Sequence, residues 1–477
     1  MRYLGPQAGL KVTSASRGGI GSLAQAIAAF FTVLLIAGIA AGQEKTWASP
    51  LTLAQAVNVA LEKSPQRKMA LAETRAAAAD VKEARSGLLP RIGFSETATD
   101  GNDPVYVFGG ELRQQRFTAA DFALNALNRP TPFSNYATRF DGDWNLFDSF
   151  ATWHSVTRAE RMKDAAGRQL ERADQEIIFR VVDSYFHVLL AKKQLEVAEQ
   201  AMKTAEAILG RSKDRYESGV VVQSDYLSAQ VRMAARKQEL ILAQNELALA
   251  RAQLSTAMGV PTMNEFEPTD TLAEKSFPLT SLDEIEQKAV GNRPDLKRIR
   301  AEESAQKESV SMAKSAFGPR VSGFAGWEAD NPTFAAGGGG SNWVAGIQLQ
   351  IDLFQGGAKR AQLAHERAIE EKVAAAKEMA TDAVRLEVRR AYYDVDAARQ
   401  QVDVVRASVT ESQESLRINQ NRYDSGLATI TDLLASDEAA RRAQADYWEA
   451  LYRYYTGYAN LELASGTLDS QSPAVTQ

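Results

Sequence analysis

Cysteine is absent from all 477 residues, and histidine occurs only three times. The first absence excludes disulfides, thiolate metal sites, a cysteine nucleophile, haem attached through cysteine and a lipid anchor on an N-terminal cysteine. His154, His187 and His365 are too far apart in sequence to suggest a metal-ligand spacing. There is no surplus of positive charge either: 55 lysines and arginines face 60 acidic residues, a formal net charge of -5, so no concentrated cationic surface argues for nucleic acid. Phosphate-cradling motifs are missing, because the glycine run 337–340 lacks the lysine and helix that a P-loop needs. Beyond the N-terminus no apolar run is long enough to cross a bilayer as a helix. Nothing converges on catalysis, and no cofactor is implied.

What is present begins with an export signal. Arg2, Lys11 and Arg17 precede an uncharged run, 18–42, whose apolar heart is 27–41. Gly38, Ala40 and Ala41 supply small residues for cleavage, so 1–41 reads as a cleaved signal peptide, with an uncleaved anchoring helix as the alternative. Residues 42–50 read as a linker. Export without a later spanning helix leaves the periplasm, the exterior, or a membrane crossed by strands.

The chain is duplicated. Arg-Tyr-Glu-Ser-Gly at 215–219 returns as Arg-Tyr-Asp-Ser-Gly at 422–426, and the offset of 207 also pairs Asp225 with Asp432, Leu146-Phe147 with Leu353-Phe354 and Tyr185 with Tyr392. Upstream the offset is 229, pairing Pro65 with Pro294 and Pro90-Arg91 with Pro319-Arg320. The first copy, 51–281, therefore carries 22 more residues (229 minus 207) between Arg91 and Leu146 than the second, 282–464. Residues 465–477 read as a flexible tail.

Each copy opens with a helical pattern, 53–87 or 282–317, rich in alanine and charged residues and closed by a proline. Strand candidates follow at 91–99 and 136–147, and at 320–329 and 342–353. In 136–147 the set Tyr136, Thr138, Phe140, Gly142, Trp144, Leu146 alternates with Arg139, Asp141, Asp143 and Asn145. In the second copy Trp343, Ala345, Ile347, Leu349 and Ile351 alternate with Asn342, Gln348 and Gln350. Length and alternation fit strands with lipid on one side and water on the other. Four strands cannot close a barrel in lipid, and open edges there are too costly, so several chains must share one barrel. Trp144, Trp327 and Trp343 suit membrane interfaces.

Long helical patterns then run over 150–217 and 358–424, each about 100 Å at 1.5 Å per residue. After each Ser-Gly turn a shorter helix returns over 224–258 and 431–464. Two short helices end to end match one long one, which predicts antiparallel rods with an elaboration where the short ones meet. Val181, Val188, Leu195, Ile208, Leu386, Val395 and Val404 recur near heptad spacing and read as packing positions.

With its doubled tip turns, Asn-Arg-Pro-Asp-Leu at 292–296, and Asn-Leu-Phe-Asp and Asp-Leu-Phe-Gln-Gly-Gly after the strands, the chain over 51–463 resembles the TolC family of bacterial outer-membrane efflux and secretion channels. The resemblance implies a mixed fold, a membrane β-barrel continued by a long α-helical coiled-coil tunnel. It also implies a homotrimer with four barrel strands per chain, outer-membrane lipid around the barrel, a periplasmic adaptor, and an inner-membrane efflux pump or ABC secretion transporter. Gly219, Val220, Val221, Gly426, Leu427 and Ala428 would form the tips where the adaptor docks. Asp225, Tyr423 and Asp432 would contribute to closing the entrance, although Ala428 stands where the family latch has an arginine and Ala435 where some members have an acidic residue. An exported coiled-coil adhesin or stalk is the alternative to a channel. Cargo, and the choice between efflux and protein secretion, stay open.

Overall fold

A computed structural model of the chain describes residues 49–263, 266–335 and 339–476. The signal segment and most of the linker lie outside the described residues. The first copy runs α1 (Leu53–Lys63), α2 (Pro65–Ser86), β1 (Arg91–Gly101), β2 (Phe133–Phe147), α3 (Ala151–Glu217) and α4 (Gln223–Ala257). The second runs α5 (Leu282–Asn292), α6 (Pro294–Ser315), β3 (Arg320–Asn331), β4 (Gly340–Gln350), α7 (Ala358–Asp424) and α8 (Ile430–Ser465).

The opening helix of each copy is broken where the sequence pattern reads as continuous. Pro65 and Pro294 cannot donate a backbone hydrogen bond and push the preceding residue out of helical geometry. Ser64 (φ -52°, ψ 125°) and Arg293 (φ -55°, ψ 124°) accordingly turn the chain, and each proline restarts a helix at its first position. Those breaks receive the ends of the return helices. Gly259, with φ +70°, closes α4 so tightly on the α1/α2 break that a Cβ there would lie 2.9 Å from Ser64 Cα. Gly466, with φ +72°, repeats the arrangement, 2.8 Å from Arg293 Cα. The unbroken 67-residue helix α3 is thus flanked by α2 and α4, and the equally long α7 by α6 and α8. Helix α3 also packs on α6 and α8, which joins the copies side by side.

The main core sits at this waist. Val57, Val181, Tyr185, Leu254, Met258, Leu296, Val388 and Leu451 are buried together. Phe277 of the connecting segment stacks on Tyr458 with ring centroids 4.3 Å apart. Residues 465–476, expected as a flexible tail, are docked: Pro473–Thr476 is a helical turn whose Ala474 and Val475 are buried in the waist core, and the Ala474 amide donates to Glu462 Oε2 (3.3 Å). The small apolar pair had a groove to fill, which composition did not reveal. Among the heptad positions Val181, Val188, Ile208 and Val395 are buried, but Leu386 and Val404 are 70% and 66% exposed. They lie on a side of α7 that no helix among the described residues covers.

The four long strands form one antiparallel sheet in the order β1-β2-β3-β4. Its two faces differ sharply in chemistry. The register places Phe94, Phe140, Trp327 and Trp343 in one row across all four strands, with Phe94 to Phe140 at 5.2 Å and Phe140 to Trp327 at 6.0 Å. Ile92, Ile347 and Leu349 continue this exposed apolar face toward the helices. Trp144 lies at the helix end, its indole donating to Leu88 O (3.0 Å). The opposite face carries Arg139, Asp141, Asp143, Asn145, Glu328, Gln348 and Gln350.

At the strand-to-helix corner Ser149 (φ 56°) and Phe150 (φ 70°) occupy the left-handed region that glycine tolerates best. Their repeat partners are Gly356 and Gly357, also at positive φ. In the first copy the Ser149 hydroxyl holds the corner by donating to Pro319 O (2.8 Å).

Candidate functional site

At the end of the helices remote from the sheet, two helix reversals lie side by side. Both are built alike, because the residue after the last helical turn is a glycine. Gly219 (φ +73°) donates to Tyr216 O and Val220 to Arg215 O, while Gly426 (φ +75°) donates to Tyr423 O and Leu427 to Arg422 O. These paired bonds satisfy the last helical carbonyls and reverse the chain within a few residues. The turns leave Val220 and Leu427 62% and 71% exposed, and Val221 and Ala428 half-buried. Beside the first turn Tyr216 and Tyr226 stack with centroids 5.8 Å apart.

The named gate residues occupy three different environments. Tyr423 is buried in a small tip core with Ile208, Ala229, Ile430, Leu433 and Leu434. Its hydroxyl lies 3.1 Å from Ser212 Oγ, and the Arg215 guanidinium stacks over its ring at 4.8 Å while donating to its carbonyl oxygen. Asp225 is half-buried in the first turn of α4, and no hydrogen bond joins it to Tyr423 among the described residues. Asp432 starts α8: its carboxylate accepts from the Thr429 amide (3.0 Å) and hydroxyl (2.7 Å), while the Asp432 amide donates back to Thr429 Oγ1. Those bonds hold the Asp432 carboxyl below its usual range. The structure thus brings Tyr423 to the first hairpin, where it meets Ser212 and Arg215 and, among the described residues, makes no hydrogen bond to Asp225 or Asp432.

Two features escaped the sequence reading. Arg215 supplies the cation beside Tyr423 that Ala428 cannot; its signal was the arginine preceding both tip tyrosines, legible only as a repeat marker. Further along the helices, Arg236 of α4 is wholly buried and reaches Asp437 (3.0 Å) and Glu438 (2.8 Å) of α8 as well as Glu239 (2.8 Å). Arg232 and Arg441 also grip Glu438, at 3.0 and 2.6 Å. The bond from Arg441 above all, helped by Arg236 and opposed by burial, brings the Glu438 carboxyl down to about 2. At Arg236 burial works against the charge, yet the bonds to Glu239, Asp437 and Glu438 override it and raise its pKa. The network ties the first copy to the second, and comparison of the repeats could not find it: at an offset of 207 Arg236 matches Ala443 and Asp437 matches Gln230.

Among the described residues both ends of the wall are open, since strands β1 and β4 each have a single partner. The outermost helices expose apolar residues at helical spacing, Met379, Leu386 and Tyr393 on α7 and Val231, Leu242 and Leu249 on α4. Among the described residues no cluster of ligating side chains is arranged for a metal, and no helix is long and apolar enough to cross a membrane.

The family model described as "Outer membrane efflux protein" matches residues 56–260 and 285–467. The outer membrane protein TolC of Vibrio cholerae serotype O1 is 24% identical over 440 residues, covering 89% of this chain and 92% of the relative. The proteases secretion protein PrtF of Dickeya chrysanthemi is 21% identical and covers 89% and 90%. Two solved structures share the fold: the CmeC outer membrane channel of Campylobacter jejuni, with a TM-score of 0.73 at 16% identity over 98% of this chain and 96% of that one, and the outer membrane protein VceC of Vibrio cholerae, with 0.72 at 19% over 87% and 96%.

Proposed function

The chain belongs to the outer membrane efflux protein family, and from that premise we propose that three copies close into one outer-membrane exit channel. It carries small toxic compounds, secreted proteins or both from an inner-membrane transporter and its periplasmic adaptor to the exterior. The observation that carries the reading is a wall open along both edges. Unpaired β1 and β4 cannot stand in hydrocarbon, and four strands are too few for a barrel that encloses water. Three copies supply twelve strands, an even number within the range of such barrels. The same closure covers the apolar stripes on α4 and α7, lays the aromatic row against lipid and turns Arg139, Asp141, Glu328 and Gln348 toward water.

Passage involves no bond chemistry. The adaptor docks on the Gly219-Val220-Val221 and Gly426-Leu427-Ala428 turns, with Val220 and Leu427 the most exposed of their apolar residues. Opening separates the hairpins there, with the cost set by the Tyr423 core and the Arg236 network. Closure is tested by crosslinking the purified chain with a lysine-reactive reagent: a ladder ending at three is expected, and a species that stays monomeric overturns the reading. Transport is tested with a deletion strain scored for dye accumulation and for loss of secreted proteins, where no change in either rejects the exit-channel role.

A further inference from the structure

The additional segment of the first copy is a folded cap whose attachment side is defined. It joins β1 to β2 at the end of the sheet opposite the helices. Asp103 caps a short helix, Pro104–Arg113, through Tyr106 N (2.9 Å), and Phe117 meets Phe108 and Phe122 edge-on at 4.9 and 5.1 Å. From this folded unit two consecutive side chains reach the sheet, both on its polar face. Arg113 Nη1 donates to Glu328 Oε1 at 3.0 Å, and Glu328 lies directly across from Arg139 in the β2–β3 register. Gln114, 5% exposed, donates to Ser134 O (3.1 Å) and to Asn135 Oδ1 (2.8 Å). Asn135 in turn donates to Asp330 Oδ1 (2.5 Å), and Asp330 is fully buried.

The backbone fits as closely. A Cβ on Gly340, the first residue of β4, would lie 1.9 Å from the Arg113 carbonyl oxygen, and one on Gly110 would meet the Phe133 ring at 2.4 Å. A loop merely projecting from the barrel would need none of these contacts. A buried polar chain of this kind holds a segment in one position, because each member left unpaired costs about 1–3 kcal/mol.

We propose that this segment is a lid seated on the water-facing side of the outer mouth, and that the Arg113–Glu328 and Gln114–Asn135–Asp330 contacts set the size of solute that passes there. The inference rests on the channel reading above, in which the polar face lines the passage. It gives the exit a second point of selection, distinct from the tips.

The absence of native cysteine permits a direct test on intact cells. Gln348→Cys places a thiol on the polar face nearer the helices, and Ile347→Cys places one on the apolar face. Each is challenged from outside with a small membrane-impermeant maleimide and with a bulky polyethylene-glycol maleimide. The small reagent is expected to modify Gln348→Cys and spare Ile347→Cys. The bulky reagent is expected to be excluded from Gln348→Cys until Arg113→Ala/Gln114→Ala is added, when modification rises at least about tenfold, in line with the loss of charge-assisted hydrogen bonds. Glu328→Gln, which keeps the side-chain shape, is expected to reproduce the increase from the barrel side. Equal entry of the bulky reagent with and without these substitutions overturns the lid and leaves the channel reading standing. Modification of Ile347→Cys in place of Gln348→Cys overturns the channel reading itself.

Discussion

Replacement of Glu462 by glutamine tests the docking of the C-terminal segment. Glu462 is 8% exposed, one helical turn beyond Tyr458, and its carboxylate accepts from the Ala474 amide. Burial, reinforced by Asp469, pushes its pKa up to about 7, against the opposing bonds from Ala474 and Tyr458. The folded chain therefore holds this proton more tightly than the unfolded chain. That contribution to stability is complete below pH ~4.5 and is lost as pH rises through about 7. A rise from 4.5 to about 7 corresponds to about 3 kcal/mol, or a few hundredfold at most in a local opening equilibrium. Amide hydrogen exchange of 473–476, corrected for the intrinsic pH dependence of exchange, reads that opening directly. In the parent chain protection is expected to fall by up to about two orders of magnitude between pH 5 and pH 8. In Glu462→Gln, which still offers an oxygen to Ala474 but carries no charge, protection is expected to stay level. The same pH dependence in both chains would refute the assignment to Glu462.

Three other perturbations probe the tips and the seams. Tyr423→Phe removes the bond to Ser212 at a cost of about 1 kcal/mol, and together with Asp225→Ala it is expected to raise conductance in planar bilayers; unchanged conductance removes both residues from the closing mechanism. Gly219→Ala, with open space around the new methyl, is expected to cost only the ~1–2 kcal/mol of a left-handed alanine, whereas Gly466→Ala also collides with the Arg293 backbone and is expected to lower the melting temperature further; equal losses would mean that α8 does not abut the α5/α6 break. Arg236→Ala strands Asp437, 4% exposed, and is expected to cost about 3–5 kcal/mol, while Arg236→Met/Asp437→Leu recovers much of the loss; melting temperatures of the purified oligomer compare the two, and a neutral single substitution would contradict the buried network.

Much of the architecture was legible because two periods are written into the chain. Alternation survives in the strands because the two faces of the sheet carry opposite chemistry on neighbouring residues, and duplication exposed the matched tip glycines. Helix continuity was misread at Pro65 and Pro294, where the surrounding composition stays helical while the proline itself forces a restart. Docking of Ala474 and Val475 was invisible, since two small apolar residues acquire meaning only beside the groove at α1 and α8. The tip shows the same limit. Gly219 and Gly426 announce themselves through conformation, but the partnership of Arg215 with Tyr423, and that of Arg236 with Asp437, joins residues some two hundred positions apart and has no periodic trace. The additional segment of the first copy revealed its extra length, yet the paths of Arg113 and Gln114 are needed to tell which side of the sheet it occupies.

The glycine seams at Gly259 and Gly466 give neighbouring staves of the wall different mechanics. An unbroken stave such as α3 transmits an axial push from tip to sheet as a single strut. Its neighbours consist of two pieces butted at mid-height, so torque applied at the tips can be taken up as slip at the joint, and the sheet need not turn with them.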